Sequence, residues 1–107
     1  HISDRTYWRR MLLGDYPDLN LSEEKNNLVK SLNSEFKSFV TLDDKETQLI
    51  YPAKHKPEKI KSLNFDKTPI INGKLMGIKG QYLFLDTEFV LNIRKFTGYI
   101  ITIRIND

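Results

Sequence analysis

Leu75-Met76-Gly77-Ile78-Lys79-Gly80-Gln81-Tyr82-Leu83-Phe84-Leu85 is the stretch on which the fold turns. Apolar residues dominate it, yet glycines stand at 77 and 80, with the polar Lys79 and Gln81 between and beside them. It reads as two strands, 75–80 and 81–85. The glycines permit a bulge or sharp bend of the kind that lets a sheet curl. Working downstream, Asp86-Thr87-Glu88 turns the chain, and Phe89, Leu91 and Ile93 then share one face with Val90, Asn92 and Arg94 on the other. After Lys95-Phe96-Thr97-Gly98, a last strand places Tyr99, Ile101, Ile103 and Ile105 on one face and Ile100, Thr102 and Arg104 opposite. Working upstream, residues 60–65 alternate and read as a strand, and Ile70-Ile71 leads into Asn72-Gly73, a favoured dipeptide for a tight reversal between strands.

The front of the chain has the helical period instead. Residues 3–13 read as a short amphipathic helix. Ser3 supplies a cap, Asp4 complements the dipole, Ile2 and Tyr7 form a hydrophobic staple, and Gly14 offers a left-handed stop. A longer helix is expected over 22–40, capped by Ser22, with Leu28, Val29, Leu32, Phe36, Phe39 and Val40 on one packing stripe. Residues 41–58 are mostly connector, and the proline- and lysine-rich 51–59 reads as an exposed, extended basic loop or a solvated linker. The fold class that follows is α+β: two N-terminal helices, then a small curled antiparallel β-sheet or β-barrel. Residues 1–47 are expected to be a helical segment packing on the sheet and 48–107 the barrel-like module, together one compact unit.

Composition excludes several classes. With 107 residues and no cysteine, there is no disulfide framework and no thiolate metal site. No apolar run approaches the roughly 18 residues of a membrane span. The chain starts at His1 rather than Met, so a piece of a longer protein is expected. Charge is uneven: residues 1–50 hold seven Lys/Arg and nine Asp/Glu, a formal −2, whereas 51–107 hold ten and five, a formal +5. A basic half suits phosphates and other polyanions, although a charge of a few units also serves plain solubility.

Several blocks carry a resemblance. These are Asp4-Arg5-Thr6-Tyr7-Trp8-Arg9-Arg10-Met11-Leu12, Lys61-Ser62-Leu63-Asn64, Leu75-Met76-Gly77-Ile78-Lys79-Gly80-Gln81-Tyr82-Leu83, Leu91-Asn92-Ile93-Arg94 and Thr97-Gly98-Tyr99. In order and in content they resemble the uncharacterised prokaryotic family called domain of unknown function 2797, with Gly-Ile-Lys-Gly-Gln-Tyr the most specific block. The resemblance implies the C-terminal part of a longer cytoplasmic protein. Its front would hold a cysteine-rich, zinc-finger-like segment and a stretch similar to GIY-YIG nuclease domains. Neither metal nor catalytic function carries over, because this chain has no cysteines and none of that upstream region.

On their own account the residues offer little catalysis. His1 and His55 lack partners at metal-ligand spacing, Asp43-Asp44 with Glu46 lacks the spacing of a calcium loop, and no nucleotide, cofactor or nucleophile-elbow motif occurs. An intact small enzyme is therefore not expected, and no catalytic residue, metal or cofactor is assigned. The expected function is an accessory domain binding RNA or DNA. If the leucines of 82–85 fill the core, Tyr82 and Phe84 face out as a stacking platform, ringed by Lys79, Gln81, Arg94 and Lys95, with help from Arg9, Arg10, Lys54, Lys56 and Lys59. If the rings go inside instead, no platform exists. The alternative function is a protein-interaction or dimerisation module, in which Tyr7, Trp8 and neighbouring apolar surface dock on the upstream domain of the same protein or on another copy.

Overall fold

The computed structural model describes residues 5–106, so the expected cap at Ser3, the staple at Ile2 and the dipole partner Asp4 lie outside the described residues. The chain divides into two compact units: residues 1–15 with 51–107, and residues 16–50. The first helix thus falls in the same unit as the sheet. The partition also sharpens the charge asymmetry. The first unit holds 13 Lys/Arg against seven Asp/Glu, a formal +6; the second holds four against seven, a formal −3.

In the unit formed by residues 16–50, helix α2 (Leu21–Ser31) starts one residue before the expected Ser22. Its cap is Asn20, whose side chain accepts from the Glu23 amide at 3.1 Å, while Glu23 and Glu24 complement the dipole. The helix does not run to residue 40. Leu32 turns extended, and a second short helix, α3 (Ser34–Lys37), starts after Asn33. Ser31, Asn33 and Ser34 are residues that offer the backbone alternatives to helix, and Ser31 Oγ donates back to the Leu28 carbonyl at 2.7 Å. The break puts the apolar stripe out of phase. Leu28, Phe36 and Phe39 are exposed, and neither helix buries a residue, so the stripe is not core. The acidic turn at 43–46 folds onto Lys25, whose ammonium donates to the carbonyls of Thr41 and Asp43 and to Asp44 Oδ1 at 2.8, 3.0 and 2.6 Å.

The other unit contains helix α1 (Trp8–Leu13) and a four-stranded sheet, whose order across the sheet is 61–62, 89–92, 82–85, 75–79. Gly14 ends α1 at φ 66, the left-handed stop expected of it. The strands are β1 (Lys61–Ser62), β2 (Leu75–Lys79), β3 (Tyr82–Leu85) and β4 (Phe89–Asn92). Strands β2, β3 and β4 form an antiparallel meander, but β1 pairs with β4 in parallel. The sheet is therefore mixed, not antiparallel throughout, and it is open, not a barrel. The predicted strand at 60–65 contributes only two residues to it.

The decisive stretch behaves as its glycines require. Lys79 pairs with Tyr82 across a two-residue turn, where Gly80 has φ 58 and Gln81 a negative φ, the signs of a type II′ hairpin turn. A register shift lies between Leu75 and Gly77. There, Ala53 bridges to Gly77, with Lys54 N–H donating to Met76 O at 2.8 Å and Ile78 N–H to Pro52 O at 2.9 Å. The segment expected to be a free basic loop is thus strapped by its backbone along the outer edge of β2, where it shields the edge from further pairing.

Two other expectations fail. Asn72-Gly73 makes no reversal between strands; instead the Lys74 amide donates to Asp86 Oδ1 at 2.9 Å and the Asp86 amide to Lys74 O at 2.7 Å. Residues 99–105 form no strand, since alternation fixes faces but a strand also needs a ladder, and no backbone hydrogen bond involves residues 100–106.

The core sits between α1 and one face of the sheet: Leu12, Tyr82, Phe84 and Val90 are buried, with Trp8, Ile60 and Met76 packed against them. Trp8 and Tyr82 stack with centroids 5.6 Å apart and planes 9° from parallel. Arg9 pins the helix, its guanidinium 4.6 Å from the Trp8 ring centre and donating to Ile60 O at 2.9 Å and Ser62 Oγ at 3.2 Å. Apart from this cluster Phe96 is buried, with Phe65 and Tyr99 edge-on to it at 4.9 and 5.3 Å. It ends a 3₁₀ turn over Ile93–Phe96.

Candidate functional site

Tyr82 and Phe84 are interior, 8% and 5% exposed, so the two rings expected to stack bases are unavailable for it. Cross-strand register explains what faces out instead. Directly opposed residues of an antiparallel pair share a face, which puts Tyr82, Phe84 and Val90 under α1 and leaves two apolar rows on the other side. One row is Ile78–Leu83–Leu91 and the other Leu75–Leu85–Phe89. Leu91 is buried, Leu83, Leu85 and Phe89 are half-buried, and Leu75 and Ile78 are exposed. This second face is therefore apolar and only partly covered.

The cations proposed for binding fall into three groups rather than one ring. At the C-terminal end of α1, Lys79 Nζ lies 3.5 Å from Met11 O and 5.7 Å from the Tyr51 ring centre, Arg10 pairs with Asp15 at 3.0 Å, and Lys56 lies against Gly14. Positive charge at a helix C-terminus offsets its dipole, which gives this group a structural role. Along the sheet edge, Arg9 is committed to Ile60 and Ser62, and Lys59 sits 3.4 Å from Glu88. Lys61, which the sequence reading left out, is the closer partner of Glu88 at 2.6 Å. The Lys61 hydrogen bond, assisted by Lys59, holds the Glu88 carboxyl below its ordinary range. The signal that would have found this pair is the parallel register Lys61 to Phe89, which alternation alone cannot supply.

The third group is at the hairpin end of the sheet. Gln81 Nε2 donates to Asn92 Oδ1 at 3.0 Å and the Ile93 amide to Gln81 O at 3.0 Å, joining the β2–β3 turn to the 3₁₀ turn that carries Arg94 and Lys95. Gln81 is thus a connector between turns. Among the described residues, Lys54, Lys56, Lys79, Arg94 and Lys95 have no carboxylate within ion-pair distance. No group of three or more metal-ligating side chains occurs among the described residues, and no described helix is long and apolar enough to cross a membrane.

Exposed apolar surface is the larger feature. Among the described residues the buried large apolar side chains are Leu12, Tyr82, Phe84, Val90, Leu91 and Phe96, whereas 21 others are exposed. They include Tyr7, Met11, Ile78 and the run Tyr99, Ile100, Ile101, Ile103 and Ile105 in the sheet unit. Scattered exposed apolar residues are normal; here they are gathered on one sheet face and in one isoleucine run.

Neither the curated proteins nor the solved structures provide a match to the chain. A family model described as Protein of unknown function (DUF2797) matches residues 1–101. The order of blocks from α1 through the hairpin to the 3₁₀ turn, together with that match over nearly the whole length, places this chain in the DUF2797 family.

Proposed function

We propose that the chain is an accessory docking module, which completes its fold by covering the leucine face of its sheet with further polypeptide. The observation that carries this is the row Ile78–Leu83 with Leu75–Leu85–Phe89, apolar throughout and only partly shielded from water. Covering such a face stabilises by roughly 25 cal/mol for each Å² removed from solvent. Sheets commonly bury a second face against another layer about 10 Å away. The first partner this reading names is the upstream, nuclease-like region implied by the family resemblance. The test mixes the chain with that segment produced separately and follows amide exchange. Ile78, Leu83, Leu85 and Phe89 are expected to slow on mixing; unchanged exchange along this face, with the two fragments eluting apart, refutes the reading.

A formal +6 on the sheet unit supports a second reading, binding of RNA or DNA through phosphate contacts alone. It uses Arg94 and Lys95 at the hairpin end, Lys79 and Lys56 at the C-terminal end of α1, and Lys54, with no base stacking on Tyr82 or Phe84. Lys79→Glu/Arg94→Glu/Lys95→Glu is then expected to weaken binding uniformly across sequences and to flatten its dependence on salt. A salt slope identical to that of the unaltered chain rules this out.

A further inference from the structure

Residues 99–105 have the composition of a strand and the environment of none. Tyr99-Ile100-Ile101-Thr102-Ile103-Arg104-Ile105 is almost entirely β-branched or aromatic, the residue types that strands favour. Ile100, Ile103 and Ile105 are nearly or fully exposed, and no backbone N–H or C=O of residues 100–106 is hydrogen-bonded to backbone. The start of the segment is nevertheless fixed: Tyr99 rests edge-on against buried Phe96, its amide donates to Phe96 O at 3.1 Å, and its hydroxyl donates to Asp66 Oδ1 at 2.6 Å. A strand-forming segment held at one end and unpaired along its length is a template for strand addition.

The docking reading above leaves the occupant of this segment open, and the sequence itself narrows it. Laid antiparallel against its own copy about Thr102, the segment sets Tyr99 opposite Ile105, Ile101 opposite Ile103, Ile100 opposite Arg104, and Thr102 opposite Thr102. Every member of the apolar face then meets another member of it, threonine meets threonine, and the two Arg104 side chains are not set directly against each other, which spares a like-charge contact. An antiparallel self-pair is two-fold symmetric, the commonest symmetry of protein dimers. We infer that residues 99–105 become a strand by pairing antiparallel with the same segment of a second copy of this chain, centred on Thr102. The inference goes beyond the docking reading: it concerns residues 99–105 and not the leucine face, and it names one partner. The paired ribbon makes roughly six to eight N–H···O bonds, the complement of seven residues in an antiparallel ladder. It is small by the standard of permanent dimers, so association is reversible and rises with concentration.

The chain has no cysteine, so an introduced one is unique. In the proposed register the two Thr102 Cα atoms are about 4.5–5.5 Å apart, within reach of a disulfide. Thr102→Cys, oxidised by glutathione disulfide, is expected to form a covalent dimer about tenfold faster than Leu42→Cys, a control at a fully exposed site, because pairing raises the local thiol concentration. Adding Ile103→Pro, which removes a ladder donor at a position without hydrogen bonds in the monomer, is expected to bring the rate down to that of the control. Sedimentation of the unaltered chain is expected to show a dimer that grows with concentration. A Thr102→Cys rate equal to the Leu42→Cys rate, or a monomer at all concentrations, overturns the inference. Docking of the upstream segment on the leucine face, seen in the exchange experiment, is unaffected by either outcome, so the two readings fail separately.

Discussion

Replacing Gly77 by alanine tests how the β2 edge is closed, because two effects of opposite sign meet there. Gly77 is not among the positive-φ glycines, so alanine is free of backbone strain, and losing glycine's freedom in the unfolded chain alone would stabilise by about 0.4–1 kcal/mol. Against this, an added Cβ would lie 2.7 Å from Ala53 Cα, 2.8 Å from Ala53 Cβ and 3.1 Å from Pro52 O. Two of those atoms are backbone, so no side chain can swing aside and the strap itself must lift. Lifting it breaks the bonds from Lys54 N–H to Met76 O and from Ile78 N–H to Pro52 O, at about 1 kcal/mol each, and uncovers the bulged edge. The net expectation for Gly77→Ala is a loss of about 1–2 kcal/mol in urea unfolding, with the Lys54 and Ile78 amides exchanging faster than in the unaltered chain. Gly80→Ala, where nothing lies within 4 Å but φ is 58, separates strain from crowding; it is expected to cost about 1 kcal/mol without changing those two amides. A Gly77→Ala chain that gains stability while Lys54 and Ile78 stay protected refutes the idea that 52–54 is fixed on the sheet.

Other expectations concern the core and the ion pairs. Trp8→Ala removes the partner of Tyr82 and is expected to cost about 2–4 kcal/mol, with a double-mutant cycle against Tyr82→Leu returning a coupling of about 0.5–1.5 kcal/mol by thermal or urea unfolding. The folded Glu88 carboxyl titrates below its ordinary value, chiefly through Lys61. Its contribution is therefore present above the unfolded carboxylate pKa and is lost as pH falls through the lower folded one. Lys61→Met is expected to return the Glu88 titration, followed by NMR, toward the ordinary carboxylate range and to remove that acid-side loss.

Local chemistry was legible where it is self-contained. Gly14 as the stop of α1, the curl at Gly77, the turn at Gly80 and the turn after Leu85 each follow from residues within a few positions. What failed depended on distant partners. The parallel pairing of Lys61 with Phe89, the strap of Pro52–Lys54 on β2 and the ion pair of Lys61 with Glu88 join residues more than 20 positions apart, and no local period encodes them. The helix expected over 22–40 failed for another reason. Its stripe is genuine in the sequence, but hydrophobic spacing competes with Ser31, whose hydroxyl donates back to the Leu28 carbonyl, and with Asn33, where the chain leaves one helix and enters the next.

Alternation in 82–85 states that two faces exist and leaves open which is buried. Tyr and Phe have the larger area to remove from water, and a neighbouring indole is at hand. Trp8 lies parallel to Tyr82, and Arg9 ties the same helix to Ile60 and Ser62, so α1 and the ring face select one another. That choice has a functional consequence. Had the leucines been buried, the exposed rings among lysines would have made a base-stacking strand face. With the rings under α1, the leucines form a partly open apolar face, which is suited to another polypeptide layer and offers nothing to a phosphate backbone. Nucleic acid would then be left only dispersed cations, whose contacts to phosphate are salt-sensitive and carry no sequence preference. The orientation of four residues on β3 thus removes the base-stacking face and leaves a further polypeptide layer and phosphate contacts as the two readings to be tested.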